Sequence, residues 1–365
     1  MEERMIKVGI THGDINGISY EIILKTFSDI RMAELCTPII YGSSKIAAYH
    51  RKALELPPLN MSSISRAEDA GTNRVNIINC INDETKVELA KATEIAGEAA
   101  LRALDVAVED LKRGAIDVLV TTPVNSQLTL ISQYPAISEY LGKTFGDNHN
   151  KPLTVLLSNE LRVALLTDNI ALAEVPSLIT KERIVEKLRV FNHSLKQDFN
   201  LDRPRIAVLS VNPHAGTGLP DNEEDNILLP AMQEAEKQGV MSFGPYPADT
   251  FFGSQMFDKF DGVLAMYHDQ GTVPFKTLAE ANGLNYTAGL PVIHTAPMHG
   301  AAYDIAGQNL ALEDSFRQSI YTALDIFRNR IIYKEATRNP LRKQYFDKGQ
   351  GDENLDLTKE EYEEI

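Results

Sequence analysis

"FDGVLAMYHDQGTVPFKTL", residues 260–278, decides the fold. An apolar run, Val263 to Met266, leads straight into Tyr267, His268, Asp269, Gln270 and Gly271, and Lys276 follows closely. A buried strand that ends in a histidine, a carboxylate and an amide carries its polar residues where open α/β sheets build their sites, beyond the carboxyl ends of the strands. Gln270-Gly271 reads as the turn after the strand. Two other stretches repeat the pattern. RIAVLSVNP runs into Asn212, Pro213, His214, Ala215 and Gly216, and GLPVIHTAP runs into His294, then His299 and Gly300.

Working outward, short apolar runs alternate with helical patterns. The strand candidates are IKVGIT, TPIIYG, RVNIINC, IDVLVTTPV, LTVLL, RVALLT, RIAVLSVNP and GVLAMYH. Between residues 93 and 113, Leu101, Leu104, Val108 and Leu111 share one helix face, and Gly114 supplies a stop. Between residues 181 and 199, Ile184, Leu188, Phe191 and Leu195 do the same behind Thr180 as N-cap. Residues 314–333 form a third helix. This alternation implies an α/β fold with a largely parallel sheet. Residues 347–365 are acidic and read as a solvated tail.

The 365 residues suffice for one large α/β domain or for two lobes around a cleft. A formal net charge of −15 argues against nucleic acid or an anionic membrane as partner, but leaves room for a small anionic substrate held by a few local cations. Cys36 and Cys80 make neither a disulfide framework nor a zinc finger. The charged N-terminus enters a strand at once and no apolar run spans a membrane, so the cytoplasm is the expected location.

The histidines at strand ends, His214 and His268, are candidate metal ligands, since imidazole suits zinc and similar ions. Loop histidines satisfied by backbone are the alternative. Asp249 and Asp269 are candidate acid/base or metal-shell carboxylates, with a turn or cap beside Pro247 as the competing role for Asp249. Lys276 can hold a phosphate as a point charge, or can be a surface lysine. Asn285 adds a donor. The stretch GITHGDINGIS carries Gly13 and Gly17 but neither GxGxxG nor a Walker motif, and reads as a tight strand-to-helix turn.

Six ordered motifs, ITHGDINGIS, VTTPVN, SVNPHAG, GPYPADTFF, AMYHDQG with Lys276, and GLPVIHTAPMHGAAYDIAG, together resemble the 4-hydroxythreonine-4-phosphate dehydrogenase family of vitamin B6 biosynthesis, from about residue 6 to about residue 335. The last motif also resembles the cofactor loop of isocitrate and isopropylmalate dehydrogenases. The resemblance implies a two-lobed α/β/α fold of the isocitrate/isopropylmalate dehydrogenase kind. Residues 1–125 with 290–346 would form the first lobe and carry the cofactor loop, and residues 126–289 the second, with metal, substrate and dimer contacts. It implies a homodimer with sites at the subunit interface. It implies NAD-dependent oxidation and decarboxylation of 4-phosphooxy-L-threonine, with a divalent metal (zinc, or magnesium or cobalt) on the substrate hydroxyl and carboxylate. His214 and His268 match metal ligands. Ser138, Lys276, Asn285 and His294 fall at substrate-binding positions, Asp249 and Asp269 at acidic positions near the metal, and Gly300, Asp304 and Gly307 in the cofactor loop.

The chain departs from the family at four positions. Asn169 stands at the third metal histidine, Ile137 at a substrate-contacting histidine, His294 at the phosphate-binding arginine, and Ser126 at a lysine. An amide is a poorer zinc ligand than imidazole, and a histidine cannot form the bidentate fork of arginine. The alternatives implied are a dehydrogenase for another small hydroxy acid or sugar-acid phosphate, or a silent dimer that keeps the fold. A phosphate acetyltransferase of related architecture has no obvious use for the histidine pair.

Overall fold

The computed structural model describes residues 4–82, 84–125, 136–147, 151–159, 161–279 and 282–339. Ser126 and the acidic segment 347–365 lie outside the described residues. Twelve strands form one sheet: β1 (Lys7–Thr11), β2 (Thr37–Gly42), β3 (Met61–Ile64), β4 (Val75–Asn79), β5 (Val118–Thr121), β6 (Leu153–Leu157), β7 (Arg162–Leu165), β8 (Arg205–Leu209), β9 (Met241–Tyr246), β10 (Gly262–Ala265), β11 (Leu284–Ala288) and β12 (His294–Pro297). Their spatial order is β3-β4-β2-β1-β5-β12-β11-β6-β7-β10-β8-β9. β11 runs antiparallel to β12 and β6, and β6 antiparallel to β7, while the remaining ladders are parallel. The largely parallel α/β sheet read from the sequence is what forms.

The central strands read as continuous apolar runs because both faces of the sheet are covered. Val118, Leu119 and Val120 are fully buried on β5, as are Val263, Leu264 and Ala265 on β10. The amphipathic helices run where their periodicity places them. Glu94–Lys112 is capped by the Thr93 side chain and followed by Gly114 at φ +72°, and Lys181–Gln197 is capped by Thr180, whose hydroxyl accepts from Arg183 N. The third extends as Asp314–Thr337.

The sheet order places the strands drawn from residues 7–121 and 294–297 in one half and those from 153–288 in the other. The antiparallel pair β12 and β11 joins the halves, and the site lies across this seam. No helix among the described residues is long and apolar enough to cross a membrane.

Candidate active site

The stretch after β10 is a helix, His268–Ala279, and not the turn read from the sequence. Gly271 is needed for packing. A Cβ there would stand 2.7 Å from Leu165 Cδ2 and 3.0 Å from the Ala265 Cβ, so only glycine lets the helix lie this close to β7 and β10. Gln270 ties the same junction together through its amide, accepting from Met266 N at 2.7 Å and donating to Ser210 O at 2.6 Å. The exits of β10 and β8 are thereby tied to the first turn of the helix.

The exit of β7 is pinned beside them. Leu166 N donates to Ala265 O at 2.8 Å, and the Thr167 hydroxyl donates to Met266 O at 2.8 Å. Asn169 then takes a left-handed conformation, φ +46°, which asparagine tolerates better than most residues. The exit of β8 is held differently. The buried carboxylate of Glu224 accepts from Val211 N, Asn212 N and Asn212 Nδ2, and the chain turns through His214, Ala215 and Gly216 at φ +55°, +53° and +71°. Successive left-handed residues cost roughly 1–2 kcal/mol each outside glycine, and such strain clusters at functional sites. Asn169, His214 and His268 therefore follow three adjacent parallel strands at one sheet edge.

A cavity of about 290 Å³ opens across the seam. Ser138, Asn169, His268, Lys276, Asn285 and His294 all line it. His268, Thr272 and Lys276 line it from one helix face, at the i, i+4, i+8 spacing. Lys276 is the only Lys or Arg among the described lining residues and has no ion pair or hydrogen bond there. Ile137 adds an apolar wall where a histidine was expected, and Asp168 adds a carboxylate that the sequence reading passed over.

His294 is 4% exposed and bonded at both ring nitrogens, Nε2 to the Thr121 hydroxyl and Nδ1 to the Thr287 hydroxyl, each at 2.9 Å. Burial pushes its pKa down to about 3, so the ring is neutral at physiological pH. It lines the cavity as a polar, uncharged wall and does not replace the arginine charge.

His268 Nδ1 lies 2.8 Å from Asp269 Oδ1, which holds the ring in the tautomer that leaves Nε2 free to bind a cation. His214 does not line the cavity, and neither does Asp249. Asp249 is exposed in the first turn of the helix Ala248–Gly253, where its carboxylate accepts from Thr250 N at 2.7 Å. Among the described residues, no group of three His, Cys, Asp or Glu side chains is placed to hold a metal. One chain thus offers donors that fit a divalent cation, the His268 imidazole and the Asn169 amide oxygen, without closing a coordination shell.

A second groove, about 470 Å³, is lined by Ile18, Met298, His299, Ala302, Ile305 and Leu310 among others; Gly300, Asp304 and Gly307, the residues expected to bind cofactor, lie on the same loop but do not line it. The groove and the cavity share Lys276 and Met298. Nε2 of His299 is buried there without a hydrogen-bond partner, which fits a polar group of a bound ligand. A Cβ on Gly300 would meet open space, whereas Gly307 sits at φ +81° and needs its glycine. Asp304 is exposed on this loop and its carbonyl accepts from Gln308 Nε2.

A two-halved, largely parallel sheet with a polar cavity at its seam and a loop-walled groove beside it is the fold shared with the solved structures it resembles. The family model for pyridoxal phosphate biosynthetic protein PdxA matches residues 34–323. The 4-hydroxythreonine-4-phosphate dehydrogenase of Bacteroides thetaiotaomicron is 55% identical over 361 residues, covering 98% of both chains. That of Sulfurihydrogenibium sp. is 37% identical, covering 89% of this chain and all of its own. The crystal structure of 4-hydroxythreonine-4-phosphate dehydrogenase from Klebsiella pneumoniae superposes with a TM-score of 0.77 at 30% identity, covering 90% of this chain and 99% of that one. The chain belongs to the PdxA family, and membership makes it a dehydrogenase of pyridoxal phosphate biosynthesis.

Proposed function

We propose that the protein oxidises and decarboxylates 4-phosphooxy-L-threonine with NAD and a divalent metal. The observation that carries this reading is the convergence of Ser138, Asn169, His268, Lys276, Asn285 and His294 on one cavity that shares Lys276 with the groove under the cofactor loop. When bound, the metal would acidify the substrate hydroxyl and polarise the developing carbonyl, and the nicotinamide would accept the hydride.

The chain's own residues supply position and charge. His268 presents Nε2 to the cation while Asp269 holds the Nδ1 proton. Lys276 meets the distal phosphate, and Asn285 and Ser138 donate or accept along the substrate. His294, neutral and held by two threonines, gives hydrogen-bonding shape without charge. Ile137, Leu156, Leu165 and Met298 keep part of the wall dry, which strengthens the polar contacts within.

The working unit in this reading is a homodimer. Leu172 (73% exposed) and Val273 (60%) are large apolar side chains left in solvent on segments that border the site. Leu172 shares a cavity with Asn169, His268 and Asp269, where a partner subunit would complete the metal's surroundings. His214 and Asp249, displaced from the cavity of one chain, then act where subunits meet.

The test is formation of NADH and release of carbon dioxide by the purified protein, with zinc, magnesium or cobalt, across 4-phosphooxy-L-threonine and sugar-acid phosphates. Turnover of a sugar-acid phosphate alone would move the reading to the second substrate class. No NADH from any of them would refute it.

A further inference from the structure

Three segments meet at the side chain of Tyr303. Its hydroxyl donates to Asp14 Oδ2 at 2.6 Å and accepts from Asn125 Nδ2 at 3.3 Å. Asp14 lies in the turn after β1, Asn125 follows β5, and Tyr303 sits in the loop that walls the groove. The Asp14 carboxylate is fully buried and has no ion pair among the described residues, and its other oxygen accepts from Asn16 N at 2.8 Å. A buried carboxylate of this kind depends on its hydrogen bonds, so the short bond from Tyr303 is costly to remove.

The backbone repeats the connection. Asp14 N donates to Pro123 O at 2.9 Å, and Ile18 N donates to Ala301 O at 3.1 Å. A Cβ on Gly17 would lie 2.4 Å from Ala301 O, so the turn and the loop are as close as a glycine allows. Ala302 and Ile305, on either side of Tyr303, line the groove, and so does Ile18. The loop itself has few other anchors of this strength. The Asp304 carbonyl is held by the neighbouring Gln308 Nε2, and Gly300 has open space where a Cβ would be.

We propose that Tyr303 and Asp14 form a positioning pair for the nicotinamide dinucleotide, setting the height of the loop 299–307 over the groove. Neither residue touches the reacting atoms. The proposal rests on the reading above that the groove takes NAD, and it adds residues which that reading does not require.

The test is NADH affinity, read from the nicotinamide fluorescence of the full-length protein, for the parent, Tyr303→Phe, Asp14→Asn and the double variant. Tyr303→Phe removes one hydroxyl and frees the loop in the unliganded protein, so that with about a tenth of it in the competent position NADH should bind about tenfold more weakly. Asp14→Asn keeps the shape and should weaken it by a similar factor. The double variant should be no worse than either single one, because both delete the same bond. The KM for NAD should rise while kcat and the binding of Mn²⁺ stay within about twofold, a split that general loosening of the fold would not give. Parent-like NADH affinity in both single variants, or losses that add in the double variant, would overturn the pair. A parent that binds no NADH would instead remove the cofactor reading itself, and this proposal with it.

Discussion

His268 and Lys276 stand two turns apart on one face of a single helix, and both line the same cavity. Eight residues of helix rise about 12 Å, and side chains lean toward the helix N-terminus, so the lysine ammonium reaches back toward the histidine. A compact substrate can therefore be gripped at one end near His268 and at the other by Lys276.

Lys276→Ala should cut the affinity for a phosphorylated substrate about tenfold or more, with little effect on its unphosphorylated form, since one charge-assisted hydrogen bond is removed. The comparison is kcat/KM for the two substrates in the two proteins. Equal losses for both substrates would show that Lys276 is not the phosphate anchor.

Phosphate recognition should not gain from a titrating His294. With its pKa pushed down to about 3, the ring stays neutral from about pH 5 to 8. The sequence alone suggests the opposite, an imidazole that gains its proton in mild acid and takes over from the missing arginine. Burial of the ring, which makes its charged form costly, is why it does not. The check is the ring proton resonance of His294 followed against pH. A shift with a midpoint near 6.5 would contradict this environment.

Acid stability gives an independent measurement. His12 and His50 are buried, each stacked on Tyr20, and burial lowers both pKa values to about 4. With His294 at about 3, three rings are neutral in the folded chain and titrate near 6.5 when it unfolds. Above about pH 6.5 neither state binds these protons. As the pH falls from there toward 4, the unfolded chain takes up three that the folded chain refuses, so stability declines by about 4 kcal/mol per pH unit from these groups together. Urea midpoints at fixed protein concentration should drop steeply between pH 6.5 and 4.5. His50→Gln should remove about a third of that slope.

The quaternary prediction concerns Val273, exposed on the helix that carries His268 and Lys276. The parent should run as a dimer by light scattering at micromolar concentration. Val273→Asp should shift it toward monomer, because a carboxylate would be buried unpaired at the contact. A monomeric parent would remove the homodimer from the proposed function.

Much of this was legible in the sequence, and each exception has a physical cause. β1, β5, β8 and β10 showed themselves as apolar runs because both faces of the sheet are buried. β3 did not: its half-buried MSSI carries no run and gains its place only by pairing with β4. Of the candidate site residues named from the sequence, Ser138, Asn169, His268, Lys276, Asn285 and His294 line one cavity, and His214 and Asp249 do not. Thr272 was missed because Gln270-Gly271 was read as a turn, although its spacing from His268 and Lys276 is helical. Tyr303 and Asp14 are far apart in sequence, and no local pattern announces a contact of that kind.

The metal offers the last prediction. His268 should be its strongest ligand from this helix, and Asp269 should orient the ring through the bond at Nδ1. Asp269→Asn should then weaken zinc by roughly 10–100-fold, the usual effect of losing a carboxylate behind a ligating histidine. His268→Ala should weaken it further, since the ligand itself is gone. Asn169→His should act in the other direction. Asn169 follows β7 beside the β10 exit and lines the cavity with His268, so an imidazole there would face the same cation. Zinc should bind more tightly to this variant than to the parent, while magnesium, which prefers oxygen, should lose affinity. Calorimetric titration of the metal-free protein with each ion separates these outcomes without any assay of turnover. If zinc affinity is the same in the parent, Asn169→His and Asp269→Asn, the metal does not sit at this edge of the sheet.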